Sequence, residues 1–479
     1  NSGSTFTGWG GASCAGTGAC TVGMTQARSV TATFNTQTTT GDQWYVSTTG
    51  NSSNPGTLAS PWSIAYAASG ANGQIGPGDT VWIRGGTYNL AATLDMTPSG
   101  SSDTMPVIFR NYNNERAQIV GTNPNQQPIF LRGNYLWLWG LEVMVSESAR
   151  STTEDNIGAD IIMAGYHSKI INSYLHDGEG SGINSMQVRG TEVYGNIINY
   201  NGRFYAAPTG EGPGYGWYAQ NVWRDPNGNQ IPVEPKYFYD NIVAYTWSWG
   251  VHFYTEGGSS DMIVFEGNAV YNSGFFWRYP NWGTQFTFGG PDGRANYFQM
   301  KDNVLYQGLE RGGGHNLLGL YPNGQINSMT MRNNFLVGPG NAMSFDNDGG
   351  SNTIASNVFV GPTSGITGTY PSNSFYSSWP SSRPDDIVVR KNKYESGRAN
   401  IYALNWDESS TVSVNPNANG VVLNPGDRYE IRDGLNYYGT PVTTGTWNNG
   451  DIIIPMTGLT PATPIPHVPG LGGQEPTWP

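Results

Sequence analysis

Charged side chains are scarce in this chain of 479 residues, where they make up 12%, and only five of them are lysines. Acidic residues outnumber basic ones by 35 to 23, which gives a net charge of −12 at pH 7. A chain with this balance repels anionic partners at long range. The composition therefore argues against nucleic acid, and against an anionic membrane surface, as a partner.

Long apolar runs are also absent. No stretch is long enough to cross a bilayer as a helix, so we predict no membrane insertion. The chain starts at Asn1 without a positively charged and then apolar segment. We therefore expect that an export signal has already been removed.

Cysteine occurs only twice, at Cys14 and Cys20, in a glycine-rich stretch over residues 8–20. A metal site would need more ligands nearby, whereas two close cysteines around a turn suit a hairpin disulfide. Two free thiols are the alternative. A disulfide predicts an oxidising compartment, and hence a secreted or bacterial cell-surface protein.

Glycine is abundant, with 66 residues, and asparagine recurs before pairs of apolar residues. This usage is typical of an all-β protein with many turns. The recurrent positions are about two dozen residues apart, with longer steps where loops are inserted, as in a solenoid. They are Asn172, Asn196, Asn241, Asn268, Asn303, Asn334, Asn357 and Asn392.

An asparagine amide both donates and accepts hydrogen bonds, so copies at one corner of successive turns can bond to each other. A single asparagine would be an ordinary turn residue, but eight in the same setting favour stacking. Short apolar strands cannot bury their inner faces alone, so the turns must pack on one another. The repeat thus predicts a coil of parallel strands.

The entry to this coil has its own pattern. Trp44-Tyr45-Val46 is followed by Ser60-Pro61-Trp62, where serine as N-cap and proline in the first turn predict a short helix, and then by residues 77–88. The passage resembles the N-terminal cap of bacterial right-handed parallel β-helix proteins of the pectate-lyase-like superfamily, and the match spans residues 43–400. The resemblance implies the fold but not the reaction, because that fold carries lyases, hydrolases, esterases, adhesins and tailspikes.

Four regions follow from these patterns. Residues 1–40 resemble the closing part of a Cys-containing repeat module of bacterial surface proteins, which implies a longer precursor upstream. Residues 41–403 are predicted as the β-helix, with inserts at 203–236 and 275–298. Residues 404–458 alternate like antiparallel strands that cover the end of the coil, and the Pro/Gly-rich residues 459–479 suggest a linker.

The inserts concentrate aromatic residues: 25 of the 61 in the chain lie between Phe204 and Phe298. Sugar rings pack their C–H faces on aromatic rings while their hydroxyls need polar partners, so such loops suit a saccharide groove. Packing of the inserts on the coil, or a protein contact, is the alternative. The predicted substrate-binding residues are Trp217, Tyr218, Trp223, Trp247, Trp249, Tyr254, Trp277 and Trp282.

Titratable residues cluster in the same part of the chain. Glu179 follows Asn172 at the offset at which Arg203 follows Asn196, so stacking in register would make them neighbours, with Asp177 beside them. His252 and Glu256 come one turn further on. Hydrolysis of a glycosidic bond usually needs two carboxyl groups, so the predicted catalytic residues are Asp177, Glu179, Arg203, His252 and Glu256.

A lyase would instead need a basic residue to remove a proton, and calcium or arginine to neutralise a uronate. Arg203, Lys236, Arg278, Arg294 and Lys301 could serve. The acidic balance of the chain disfavours a polyanionic substrate, so we rank a neutral polysaccharide first. No cofactor is certain; calcium is the candidate, with Asp346 and Asp348 as weak ligands, because the other ligands of a calcium loop are missing.

Two classes of function remain. The sequence slightly favours an enzyme that cleaves a polysaccharide in an aromatic-rich groove, with a hydrolase ahead of a lyase. The alternative is a non-catalytic adhesin, sheath or fibre subunit that uses the aromatic inserts for self-association or to bind a cell-surface glycan. Convergence of the carboxylates in an open groove would favour the enzyme, and a large interface between copies would favour the structural protein.

Overall fold

A computed structural model describes residues 4–11, 14–23, 25, 28–36, 41–123, 126–146, 158–186, 188–202, 214–221, 233–254, 259–274, 284–288, 295–308, 315–318, 326–345, 348–366 and 368–464. Strands dominate this part of the chain. An N-terminal hairpin comes first, followed by a long coil of parallel strands and a C-terminal antiparallel region.

The bounds of the elements follow the chain. The first part holds β1 Ser4–Gly10, β2 Thr31–Thr36, β3 Gln43–Val46, helix α1 Ile64–Ala68, a 3-10 turn Ala71–Gly73, β4 Thr80–Ile83, β5 Gly86–Leu90, β6 Leu94–Met96, β7 Val107–Asn111, β8 Ala117–Gly121, β9 Ile129–Leu131, β10 Leu136–Trp139, β11 Glu142–Val145 and β12 Ala159–Met163. The middle holds β13 Lys169–Ile171, β14 Tyr174–His176, β15 Ser181–Ser185, β16 Glu192–Tyr194, β17 Ile197–Asn199, β18 Trp217–Ala219, β19 Lys236–Tyr239, β20 Ile242–Ala244, β21 Val251–Phe253, β22 Ile263–Glu266, β23 Ala269–Tyr271, β24 Thr284–Phe288, β25 Ala295–Asn296, β26 Gln299–Lys301, β27 Val304–Tyr306 and β28 His315–Leu318. The last part holds β29 Ile326–Asn327, β30 Thr330–Arg332, β31 Phe335–Val337, β32 Asn341–Phe345, β33 Thr353–Ala355, β34 Val358–Val360, β35 Thr363–Ser364, β36 Ser374–Tyr376, β37 Asp386–Lys391, β38 Ala399–Leu404, β39 Thr411–Val414, β40 Arg428–Ile431, β41 Thr443–Thr446 and β42 Ile452–Pro455.

Three parallel sheets form the walls of the coil. Sheet 1 has the order β3-β4-β7-β10-β13-β16-β19-β22-β26-β30-β33, sheet 2 has β5-β8-β11-β14-β17-β20-β23-β27-β31-β34-β36, and sheet 3 has β6-β9-β12-β15-β18-β21-β24-β28-β32-β35. A full turn takes one strand from each sheet, as β13, β14 and β15 do. One apolar core runs inside the coil from Val46 to Ile366. The parallel coil predicted from the asparagine repeat is confirmed.

An asparagine ladder lies at the corner between sheets 1 and 2. Each side-chain Nδ2 donates to Oδ1 of the asparagine one turn further on, and each Oδ1 also accepts the backbone N–H of the asparagine one turn back. The Nδ2–Oδ1 distances are 3.0 Å for Asn196–Asn241, 2.9 Å for Asn241–Asn268, 3.1 Å for Asn268–Asn303, 2.8 Å for Asn303–Asn334, 2.8 Å for Asn334–Asn357 and 2.9 Å for Asn357–Asn373. The last rung, Asn373, did not stand out in the sequence.

Two predicted rungs are wrong. Ser173 occupies the corner position of its turn, because its N–H donates to Asn196 Oδ1 at 2.8 Å. Asn172, one residue earlier, has a left-handed backbone with a φ of 48°. Its Oδ1 accepts from Nδ2 of Asn392 at 2.8 Å, and Asn392 belongs to the C-terminal region. This amide pair therefore joins the coil to the region that follows it.

The N-terminal end of the coil is closed by α1, as the resemblance implied. Ile64, Ala67 and Ala68 are buried in the same core as the first strands. Trp62 is fully buried just before the helix, and its ring stacks on Trp44 with centroids 4.5 Å apart. The helix starts later than predicted, because its N-cap is Ser63 and not Ser60.

Ser63 makes no capping hydrogen bond through its side chain. We therefore expect Ser63→Ala to change the free energy of unfolding by less than about 0.5 kcal/mol, below the cost of removing a working cap. Urea unfolding followed by tryptophan fluorescence checks this. A loss of about 1 kcal/mol or more would show that the serine hydroxyl does cap the helix.

The C-terminal region begins before the predicted boundary. The last strand of the parallel sheets is Ser374–Tyr376, and β37 pairs with β38 as an antiparallel hairpin. The predicted end of the coil at residue 403 thus falls inside the antiparallel region. The pairs β39 with β42 and β40 with β41 complete it. Of the predicted linker, residues 465–479 lie outside the described residues.

At the other end of the chain, β1 and β2 form an antiparallel pair, and Cys14 and Cys20 form a disulfide. The predicted hairpin disulfide is therefore confirmed, and the alternative of two free thiols is not observed. The relationship of residues 1–40 to a surface repeat module stays a prediction. Among the described residues, no helix is long and apolar enough to cross a membrane.

Candidate functional site

The outer face of sheet 3 carries a row of polar and aromatic side chains. Asn184 of β15, Tyr218 of β18, His252 of β21 and Thr287 of β24 stand side by side in the parallel register. Neighbouring strands are about 4.8 Å apart, so this row runs along the coil axis. The residues on either side of each member, such as Ile183 and Ser185, are buried.

Aromatic rings surround His252 in the middle of this row. The ring centroid of His252 lies 4.4 Å from that of Trp249, 4.9 Å from Tyr254, 5.2 Å from Tyr218 and 5.2 Å from Tyr215. We call these five residues the His252 cluster. The four rings around the histidine are half-buried, so each keeps part of its surface open to solvent. The sequence predicted four of the five as site residues, and Tyr215 counted only among the aromatic residues of the inserts.

His252 is a neutral imidazole. Its side chain is 5% exposed, and burial lowers its pKa to about 3. Its Nδ1 is buried and has no hydrogen-bond partner in the described parts of the chain. A group with so low a pKa is a weak base, and the one N–H of its neutral form is too weak an acid to protonate a leaving group near pH 7. The geometry therefore suits His252 to ring contacts or to a hydrogen bond, and not to the general-acid role.

Asp177 does not face this cluster. Its Oδ2 lies 2.7 Å from Nδ1 of His176, and Nε2 of His176 lies 3.0 Å from Oε1 of Glu142. Glu142 is also held by Arg116, with Nε to Oε2 at 2.5 Å. These four residues, which we call the Glu142 network, lie on the sheet 2 side of the turn. The catalytic role of Asp177 stays a prediction, and its carboxylate pairs with His176 rather than with a residue of the His252 cluster.

Glu179 lies at the start of sheet 3, on the other side of β15 from the His252 cluster. It is buried and lines a small cavity of about 10 Å³ with Gln127, Pro128 and Ala159, which belong to the β9 and β12 turns. The carboxylate of Asp160, which the sequence did not single out, packs against Gly178 so closely that a Cβ there would collide with it. An acidic residue within the apolar run 159–163 was the available signal.

The predicted neighbours Glu179 and Arg203 are one residue out of register. His176 pairs with Asn199, an offset of 23 residues, and Gly202 N–H donates to the carbonyl of Gly178 at 2.9 Å. Gly202 is thus the residue that aligns with Glu179. The offset of 24 came from Asn172, which is not a rung of the ladder. Arg203 itself lies outside the described residues.

Trp217 was predicted to line the groove, and this is wrong. Its ring points into the coil, is 1% exposed and packs on Phe238 and Phe253. Trp247 is half-buried at the turn that precedes β21. The other predicted site residues lie outside the described residues: Trp223, Glu256, Trp277, Trp282 and Asp346.

Lys236, a candidate base for a lyase, is fully buried behind the site. Its Nζ donates to the carbonyl oxygens of Ser185 and Gln220, at 2.5 Å each, at the ends of β15 and β18. Burial lowers its pKa well below the usual value for lysine. It therefore fixes the strand ends that carry Asn184 and Tyr218, and a substrate on the outer face would not reach it.

Asp348, the described member of the weak calcium pair, is engaged in hydrogen bonds. Its Oδ2 accepts from Tyr370 Oη at 2.5 Å, and its Oδ1 accepts from Asn352 Nδ2 at 2.7 Å and from Gly350 N–H at 2.9 Å. These bonds are typical of a structured turn. The described residues contain no group of three acidic, histidine or cysteine side chains arranged to hold a metal ion.

A family model described as the Pel9A-like right-handed β-helix region matches residues 44–216, which include the cap, the first strands of all three sheets and Glu179. The coil is a right-handed parallel β-helix, and the part of it within residues 44–216 is similar to that β-helix family. The match ends just before Trp217 and so does not reach His252. The expectation drawn from residues 43–88 is confirmed.

Other similarities to this β-helix protein are partial or distant. The uncharacterized protein YwoF of Bacillus subtilis strain 168 is 43% identical over 82 residues, which are 17% of this chain and only 16% of that protein. The solved structure of pectate lyase Pel9A aligns over 71% of this chain and 79% of its own, with 17% identity and a TM-score of 0.46. A rhamnogalacturonan lyase aligns over 73% and 90%, with 14% identity and a TM-score of 0.47.

Proposed function

We propose that this protein acts on a neutral polysaccharide outside the cell, and that it binds the chain along the outer face of sheet 3. The single observation that carries the proposal is the His252 cluster. Four half-buried rings stand around a buried, neutral imidazole on the outer face of sheet 3. Aromatic faces pack on the C–H faces of sugars, and the imidazole, the tyrosine hydroxyls and Asn184 offer polar partners for sugar hydroxyls.

The charges around the face support a neutral substrate. Glu179 and Asp160 lie at the start of the sheet, and the lysine behind it is buried and engaged. The whole chain carries a net charge of −12 at pH 7. A polyuronate would meet repulsion here unless a cation intervened. The disulfide fits an extracellular setting, and so do the lyases whose structures are similar to this fold.

Cleavage would require two carboxyl groups, one to protonate the glycosidic oxygen and one, ionised, to activate water or to attack the anomeric carbon. Because Asp177 pairs with His176 on the sheet 2 side, we assign these two roles to Glu179 and Glu256. Glu256 follows Tyr254 of the cluster by two residues. Arg203 would assist only by orienting the substrate.

Binding is tested with Trp249→Ala and Tyr254→Ala against soluble neutral glucans, xylans, mannans and galactans in affinity electrophoresis, with polygalacturonate as the anionic comparison. We expect each variant to weaken binding of the preferred neutral polysaccharide about tenfold, because a lost ring contact is worth about 1–2 kcal/mol. Trp82→Ala is the matched control, because Trp82 is a half-buried tryptophan on sheet 1. Unchanged affinity in both cluster variants would contradict the proposal.

Cleavage is measured separately on the polysaccharide that binds, by reducing ends and by absorbance of unsaturated products. Hydrolysis yields the first signal alone, whereas a lyase yields both. Glu256→Gln and Glu179→Gln should abolish hydrolysis while binding persists. Binding with no cleavage by the wild type would instead support the non-catalytic adhesin.

A further inference from the structure

A second cleft lies at the corner between sheets 1 and 2, where the hairpin strand β37 crosses the coil. Its volume is about 500 Å³, within the usual range for a small-ligand site. It is formed jointly by the β-helix and the C-terminal region, and such junctions often hold ligands. The cleft is lined by Asp240, Asp302, Val304, Asn333, Phe335, Val388, Val389, Arg390, Lys391 and Asn419.

The asparagine ladder sets the spacing of the polar groups in this cleft. Asp240, Asp302 and Asn333 each stand one residue before a ladder asparagine, and each has a left-handed backbone, with φ between 55° and 56°. The equivalent residue in the turn between Asp240 and Asp302 is Gly267. A Cβ at Gly267 would collide with the guanidinium of Arg390, so the missing side chain makes room for this group.

Arg390 is surrounded by more negative charge than it neutralises. Its Nε lies 2.7 Å from Asp240 Oδ1, whereas Glu266 Oε1 and Asp302 Oδ2 are each 3.6 Å from its terminal nitrogens. Two carboxylates therefore remain loosely engaged. The exposed Lys391 adds a second cation at the rim, and Phe335 and Val388 supply apolar surface.

These groups restrict the chemistry of a ligand. Three carboxylates around one guanidinium repel an anion, and the guanidinium at their centre excludes a bare metal cation from the same space. A purely apolar ligand would leave the charged groups without hydrogen bonds. Hydroxyl groups can donate to carboxylates and accept from arginine and lysine at once.

We propose that this cleft is an accessory site for one neutral sugar unit, separate from the face of sheet 3. The sugar hydroxyls would bond to Asp302, Arg390 and Lys391, and its C–H face would pack on Phe335. A site on a different side of the coil would hold a polysaccharide branch or end while sheet 3 binds the main chain. The cleft needs no contribution from the His252 cluster.

The proposal is tested by isothermal titration with the methyl glycosides of glucose, galactose, mannose and xylose, and with methyl glucuronide as the anionic comparison. At least one neutral glycoside should bind the wild type with a 1:1 stoichiometry. We expect Asp302→Asn and Lys391→Met each to weaken it about tenfold, as for a lost hydrogen bond to a charged group. Asparagine tolerates the left-handed backbone at position 302, and Lys391 is exposed, so both variants should fold.

Two controls separate the sites. Asp451→Asn removes an exposed carboxylate outside the cleft and should not change the titration. Trp249→Ala removes a ring from the His252 cluster, so the glycoside binding that persists in this variant belongs to the cleft. Absence of binding by every neutral glycoside, or full binding in both cleft variants, would overturn the proposal. Binding that is lost only in Trp249→Ala would also overturn it, and would leave the proposed function of sheet 3 standing.

Discussion

Replacing Asn303 with leucine is expected to lower the free energy of unfolding by about 3–5 kcal/mol. The side chain makes four buried hydrogen bonds. Its Oδ1 accepts from the N–H of Asn268 at 2.8 Å and from its Nδ2 at 3.1 Å, and its Nδ2 donates to Phe265 O at 2.9 Å and to Asn334 Oδ1 at 2.8 Å. Leucine has a similar volume but removes all four bonds, and it leaves the buried N–H of Asn268 without its acceptor.

The measurement is urea unfolding followed by circular dichroism, with Asn89→Leu as the matched control. Asn89 is exposed on β5 and belongs to no ladder, so its replacement should change the free energy of unfolding by less than about 0.5 kcal/mol. If both substitutions lower the free energy of unfolding equally, a ladder asparagine stabilises the coil no more than an exposed surface asparagine does. Because each rung bonds to the next, Asn268→Leu should be as costly as Asn303→Leu.

The ladder also shows how far the sequence could predict the fold. Six of the eight recurrent asparagines are rungs, because the recurrence at one corner follows directly from the stacking of turns. The prediction for Asn172 was wrong because Ser173 takes the corner, and the sequence Ile171-Asn172-Ser173-Tyr174 does not show which of its two polar residues lies there. That slip misaligned Glu179 with Arg203, since every offset was counted from Asn172.

The site was harder to predict than the fold. The sequence correctly placed four residues of the cluster in this region, because it concentrates aromatic side chains: Tyr218, Trp249, Tyr254 and His252. Trp217 lies in the same aromatic-rich segment, so composition alone could not distinguish it from them. Only the alternation within β18, which puts Trp217 inward and Tyr218 outward, separates them. The Glu142 network could not be predicted, because Glu142 and His176 meet through the register of separate turns.

Raising the pH from 6.5 to above 9 is expected to remove about 3 kcal/mol of stability through His176. The carboxylates of Asp177 and Glu142 raise the pKa of His176 to about 9, although burial alone would lower it. A raised pKa in the folded state means that the protonated form stabilises the fold. This contribution is complete below pH 6.5, the ordinary value, and is lost as the pH rises through 9.

Glu142 sets the acidic limit of the pH range in which the network stabilises the fold. Although burial opposes its charge, its bonds to Arg116 and His176 lower its pKa to about 2 from 4.5, so its contribution is complete above pH 4.5 and is lost as the pH falls through 2. Between about pH 4.5 and 6.5 both contributions are complete. We therefore expect His176→Gln to abolish the alkaline loss. We expect Glu142→Gln to destabilise the fold by about 3 kcal/mol near pH 6, because it removes the carboxylate that pairs with Arg116 and with the buried His176.

Urea unfolding at a series of pH values measures both effects. His167→Asn is the control, because it removes a histidine outside the network, at a left-handed position that asparagine tolerates. An alkaline loss of the same size in His176→Gln would show that another group causes it.

The Glu142 network also contacts the C-terminal region. The guanidinium of Arg116 lies 4.0 Å from the ring centroid of Tyr438, and Tyr174 packs on Tyr437 and on His176. Deprotonation of His176 should therefore first loosen the contact between sheet 2 and the C-terminal region. Limited proteolysis near residue 438 should increase between pH 8 and 10, a range around the pKa of His176 of about 9. This increase should come before the coil itself unfolds.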